Sequence, residues 1–209
     1  MIKIWGRNTS SNVQKAMWAV HELNLEHTRI DVGGAFGKTK EPAYLAMNPN
    51  SLVPTLEEED GFILWESNSI CRYLAGKHDK KGLLEPTDPK QRALASQWMD
   101  WQLSVLGPAI TPAFWGLIRT PPEKRDAAAI KASQEKTVTA MLMLEQRLGK
   151  TDYVAGPNFS YGDIPVGVMC YRYRQLVPDR PKTPNLDRWY DAISKRKAFH
   201  EGVGSIPLS

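Results

Sequence analysis

Apolar positions along the first third of the chain switch between strand-like and helical spacing, and from residue 90 onward only the helical period persists. Residues 2–5 read as a first strand. Val13, Ala16, Met17, Val20 and Leu23 recur at helical spacing and predict a helix over 13–23 with one buried stripe. Residues 28–32 are β-branched and alternating, a second strand, so the two flank a helix as a βαβ unit, parallel and right-handed. A glycine-rich loop (33–37), a short helix (42–47) and a turn (48–51) lead to a strand over 53–57. Asp60-Gly61 is a hairpin signal that returns residues 62–65 antiparallel to that strand, and a helix follows from Glu66-Ser67.

The character changes at 79–89, where Pro86 and Pro89 suit neither a helix interior nor a strand. The linker is placed there, dividing an α/β domain (1–78, order βαβαββα) from an all-α domain (90–209). Helices are expected over 94–107, 109–118, 123–149, 163–175 and 186–197. Ser160-Tyr161-Gly162-Asp163 reads as a capping element: Asp163 reaches back to the Ser160 N–H, and Phe159 pairs with Ile164 across the helix start.

The chemistry concentrates in Leu52-Val53-Pro54-Thr55-Leu56 and in Leu64-Trp65-Glu66-Ser67. A proline in strand-like sequence removes a ladder donor and frees neighbouring backbone groups to pair with something else. At Glu66-Ser67 a helix begins whose first N–H groups lack internal partners and whose dipole favours an anion. Ser67 with those N–H groups suits a carboxylate, Glu66 an ammonium, so an α-amino acid end fits the step, while the edge at Val53 suits a peptide backbone. Ser10-Ser11-Asn12, between the first strand and first helix, is open to two readings: a simple helix cap, or donors to a ligand thiolate or phosphate.

With these motifs in this order, joined by Ser10 to Lys15, Asn48-Pro49 and Ser160 to Asp163, the chain resembles the cytosolic glutathione S-transferase family, in particular bacterial, serine-type, theta- and phi-like members. The resemblance covers nearly the whole chain. It implies a thioredoxin-like N-terminal domain followed by an all-α domain that contributes the electrophile pocket. It also implies glutathione as cosubstrate with no further cofactor, and a homodimer. Ser10 falls on the family's catalytic serine, with Ser11 and Asn12 as alternatives for the group that donates to the sulfur. Asn12 stands where another branch carries cysteine, so thiol exchange through a mixed disulfide is not expected of this chain. Val53 would pair with the cysteinyl part, Pro54 would be cis, Glu66 and Ser67 would hold the γ-glutamyl end, and Lys38, Lys40 or Asn50 the glycyl carboxylate. Phe114 and Trp115 are the named contacts of a pocket for a small apolar electrophile, expected between the domains. The expected reaction is conjugation; a glutathione-dependent isomerase, dehalogenase or peroxidase, and a non-catalytic interaction module, are the alternatives.

Composition narrows the partners. The 27 basic and 23 acidic residues are interspersed and leave a net charge of +4, against a nucleic-acid surface. Cys71 and Cys170 lie far apart in apolar surroundings, with no metal-ligand spacing, and His21, His27, His78 and His200 are scattered. A reducing, cytoplasmic setting without a membrane span or metal is the expectation.

Overall fold

The computed structural model describes residues 1–209. Two compact units emerge, Met1–Glu85 with Lys197–Ile206, and Pro86–Arg196 with 207–209. The break at Glu85 and Pro86 falls inside the proline-marked segment. Residues 197–206, counted above with the helical domain, group with the first unit.

In the first unit β1 (Ile2–Trp5) lies parallel to β2 (His27–Ile30) and antiparallel to β3 (Thr55–Glu57), which pairs with β4 (Ile63–Trp65); the sheet order is β2-β1-β3-β4. The short connection after β3 permits an antiparallel return, while β1 and β2 need the crossover helix α1 (Ser11–Glu22) between them. Alternation sends Ile2 and Ile4 into the core, where Val13, Met17, Trp18, Leu56, Ile70 and Leu74 also lie. The remaining helices here are α2 (Pro42–Met47) and α3 (Ser67–His78), and α3 packs on α1.

Three strands differ in their bounds from expectation, β4 only by starting at Ile63 instead of 62. β2 runs one to two residues earlier than 28–32, so Val32 is buried beyond its end. β3 begins only at Thr55, and Val53 stands outside the sheet as part of a bend. A proline at 54 donates nothing to a ladder, so pairing starts one residue later. β3 is moreover an inner strand, so Val53 offers its backbone from a bend instead of a sheet edge.

The second unit is helical: α4 (Pro89–Trp101), α5 (Gly107–Phe114), α6 (Ala127–Leu148), α7 (Asp163–Leu176) and α8 (Pro184–Ser194). The start of α4 lies five residues before the predicted 94, because Asp88 caps it, its Oδ2 accepting from the Gln91 N–H at 2.9 Å, and Pro89 occupies the first position. Gly107-Pro108 does not break the chain of turns as expected. π-helical turns at Gln102–Leu106 and Trp115–Arg119 flank α5, and Pro112 is carried inside it. Wider turns of this kind absorb the missing proline donors. α6 starts at Ala127, four residues later than predicted, where Asp126 Oδ1 accepts from the Ala129 N–H at 3.0 Å.

Candidate functional site

The two helix starts singled out in sequence meet in space. Ser67, first residue of α3, donates from Oγ to Asn12 Oδ1 at 3.5 Å, near the start of α1. The bend carrying Val53 joins them through Gly6, whose φ is +153°. A Cβ on Gly6 would lie 2.4 Å from Val13 Cγ2 and 3.2 Å from Val53 Cβ, so only glycine lets β1 end this close to both.

Ser10 precedes α1 with extended backbone, and its hydroxyl makes no capping bond. The half-buried Ser10 hydroxyl therefore does not cap the helix. Ser11 is the first helical residue and Asn12 the second, Ser11 half-buried and Asn12 exposed.

The Val53–Pro54 bond is cis, as the resemblance implies. Neither the N–H nor the carbonyl of Val53 bonds elsewhere in the main chain. What holds this bend was not legible beforehand: a buried relay in which Asn48 Nδ2 donates to Thr55 Oγ1 at 3.1 Å, Thr55 donates to the Tyr44 hydroxyl at 2.9 Å, and Tyr44 donates to the Leu52 carbonyl at 2.7 Å. Asn48 Nδ2 also reaches the Leu52 carbonyl at 2.9 Å. Burial pushes the Tyr44 phenol above its ordinary range, keeping it a neutral donor.

Glu66 stands at the α3 start with φ +73° and caps nothing with its side chain. A non-glycine residue in that conformation costs about 1–3 kcal/mol and is characteristic of a ligand clamp. Glu66 is exposed while Ser67 is buried, so the carboxylate faces solvent above an interior hydroxyl.

Lys38 and Lys40 are exposed on a loop tied to the bend by Ser51 Oγ, which donates to the Thr39 carbonyl at 2.9 Å. Asn50 is exposed, and its Nδ2 donates to Oδ1 of the buried Asn48 at 3.2 Å. Lys15 had no role assigned in sequence, yet it is only 1% exposed and places Nζ 3.1 Å from Asn12 Oδ1. No periodicity argument finds such a residue, because a lysine in a helix reads as solvated surface.

In the helical unit, Phe114 is half-buried with the Arg172 guanidinium 4.5 Å from its ring centre, and Trp115 is 58% exposed. The two rings meet edge to face at 6.5 Å. Burial pushes the thiols of Cys71 and Cys170 up to about 12, which makes both poor nucleophiles. No group of three or more His, Cys, Asp or Glu gathers as a metal site, and no helix is long and apolar enough to cross a membrane.

The chain is similar in sequence and structure to known proteins. The glutathione S-transferase N-terminal domain profile matches residues 9–77 and the C-terminal domain profile residues 106–197. Glutathione S-transferase GstB of Escherichia coli is 41% identical over all of both chains. Glutathione S-transferase F13 of Arabidopsis thaliana is 31% identical over 95% of this chain and 93% of its own. The crystal structure of a theta class glutathione S-transferase from Xanthomonas axonopodis pv. citri, with glutathione bound, superposes with a TM-score of 0.94 at 41% identity, covering 100% of this chain and 99% of that one. Matched in both halves and along its full length, the chain belongs to the glutathione S-transferase family.

Proposed function

We propose that this protein is a glutathione S-transferase that binds reduced glutathione along the Val53 bend and the α3 start, and delivers its thiolate to small apolar electrophiles. The observation that carries the reading is the α3 N-terminus, where the Glu66 side chain makes no capping bond to the first-turn N–H groups, beside the buried Ser67 hydroxyl. Those donors take the γ-glutamyl carboxylate, and Glu66 takes its ammonium. The free Val53 amide and carbonyl pair with the cysteinyl backbone. Lys38 or Lys40, or the second N–H of Asn50, receives the glycyl carboxylate.

Ser10 is the residue we assign to the sulfur, since its hydroxyl is not spent on the helix. A thiol of pKa ~8.5 ionises at neutral pH when a hydroxyl donor and a helix N-terminus stabilise its anion. The nucleophile is then the ligand's own sulfur, which agrees with the inertness of Cys71 and Cys170. Phe114 and Trp115 are proposed as electrophile contacts. A homodimer in a reducing, cytoplasmic setting completes the proposal, and sedimentation equilibrium tests the assembly.

The deciding measurement is ultraviolet thiolate absorbance on adding reduced glutathione at neutral pH to wild type and to Ser10→Ala. A signal present in wild type and lost in the variant supports binding, activation and the assigned residue. Binding without that signal sinks the Ser10 assignment. Absence of binding sinks the enzyme reading and favours an interaction module.

A further inference from the structure

Lys15 has a buried ammonium directly beneath the proposed site. Lysine carries three donors and no acceptor. The atom of Asn12 that lies 3.1 Å from Lys15 Nζ is therefore the oxygen, and the Ser67 hydroxyl addresses that same oxygen at 3.5 Å. The Lys15 contact settles which end of the Asn12 amide faces inward. The NH2 end is turned the other way, on a residue that is itself exposed.

The position of that NH2 group matters more than its freedom. Asn12 is the second residue of α1 and touches the first residue of α3, so the amide stands where two helix N-termini converge. Both dipoles favour an anion there, and a cation buried below lowers the cost of bringing one in. An asparagine without such a constraint turns over readily and would offer a carboxylate its lone pairs as often as its protons.

We propose that Lys15 is a positioning residue which, by holding Asn12 Oδ1, aims the Asn12 NH2 at the γ-glutamyl α-carboxylate beside Ser67. The inference rests on the glutathione reading given above. Asn12 then serves the γ-glutamyl end, leaving the sulfur to Ser10. Lys15 never touches the ligand.

Calorimetric titration with unreactive S-hexylglutathione tests this, set against an analogue whose γ-glutamyl group is replaced by γ-aminobutyryl and so lacks the α-carboxylate. Lys15→Met and Asn12→Asp should each weaken S-hexylglutathione about tenfold, the double variant no more than either alone, and Lys15→Arg should recover most of the loss. For the analogue, wild type and variants should bind alike. A purely structural role for Lys15 would lower the thermal midpoint and weaken both ligands equally, which overturns the proposal, as does undiminished S-hexylglutathione binding by Lys15→Met. If Lys15→Met does not fold, Asn12→Asp, which changes an exposed residue and keeps the lysine, makes the same comparison. Failure of wild type to bind either ligand removes the glutathione reading and this inference together; binding both ligands with no difference among variants removes only this inference.

Discussion

At the residue scale, Glu66 shows how local conformation and chemistry oppose each other. Its φ of +73° suits glycine, yet a carboxylate stands there. Glu66→Gly should therefore raise unfolding stability by about 1 kcal/mol in urea titration while weakening glutathione binding. Equal or lower stability in the variant would show that the backbone there is unstrained. The cysteines give a second expectation. With both thiols pushed up to about 12 by complete burial, a thiol-reactive disulfide reagent should leave the native protein unlabelled and modify both residues after denaturation. Rapid native labelling of either would contradict the burial.

Asp163 illustrates the element scale. Of the capping element expected from Ser160 to Asp163 the back-reach is present, while the cap position itself falls on Gly162: the Ser160 N–H donates to Asp163 Oδ2 at 2.9 Å and Ser160 Oγ donates to it at 3.2 Å. The other carboxylate oxygen reaches further, accepting from the Val154 N–H at 3.0 Å and from Trp189 Nε1 at 2.9 Å. One side chain thus ties the start of α7 to the preceding loop and to α8. In Asp163→Asn one of the two oxygen positions becomes NH2 and faces two donors, whichever way the amide turns. Urea unfolding should show a loss of about 3–5 kcal/mol. Burial pushes the Asp163 carboxyl up to about 6, from an ordinary value of 3.8, against the pull of its four donors. The folded chain then holds this proton where the unfolded chain has lost it, so the group's contribution to stability falls as pH rises from about 4 to about 6, by on the order of 2–3 kcal/mol. A carbon-13 titration of the Asp163 carboxyl with its midpoint near 4 would refute this.

Across the whole molecule, the chain's last turns complete the first unit instead of the second. Lys197–Ile206 belongs with residues 1–85, where Phe199 meets Trp18 edge to face at 4.9 Å. Gly202 lies so close that a Cβ there would sit 3.0 Å from the Trp18 backbone nitrogen. Trp18 is fully buried, so this segment covers part of the core that the N-terminal sequence cannot close alone. Gly202→Val should lift the segment, cost about 1–3 kcal/mol and speed hydrogen exchange in α1. Unchanged protection of α1 would mean the segment is not needed there.

Local sequence determined most of the elements. Strand alternation in residues 2–5, the stripe of Val13, Ala16, Met17 and Val20, the Asp60-Gly61 turn and the reach of Asp163 back to Ser160 each depend on neighbours a few positions away, and each is present. Ser10, Val53 and Glu66-Ser67 are legible as candidate site residues for the same reason, since a helix start or a proline announces unpaired backbone groups wherever it occurs. Tertiary structure alone decided the rest. Whether Lys15 is solvated or buried depends on what packs over α1, and the Asn48–Thr55–Tyr44 relay exists only once α2 and β3 are brought together. The reach of Asp163 to Trp189 spans 26 positions and the return of residues 197–206 to α1 nearly the whole chain. Contacts of that range are set by the packing of complete elements, for which no short window of sequence carries a signal.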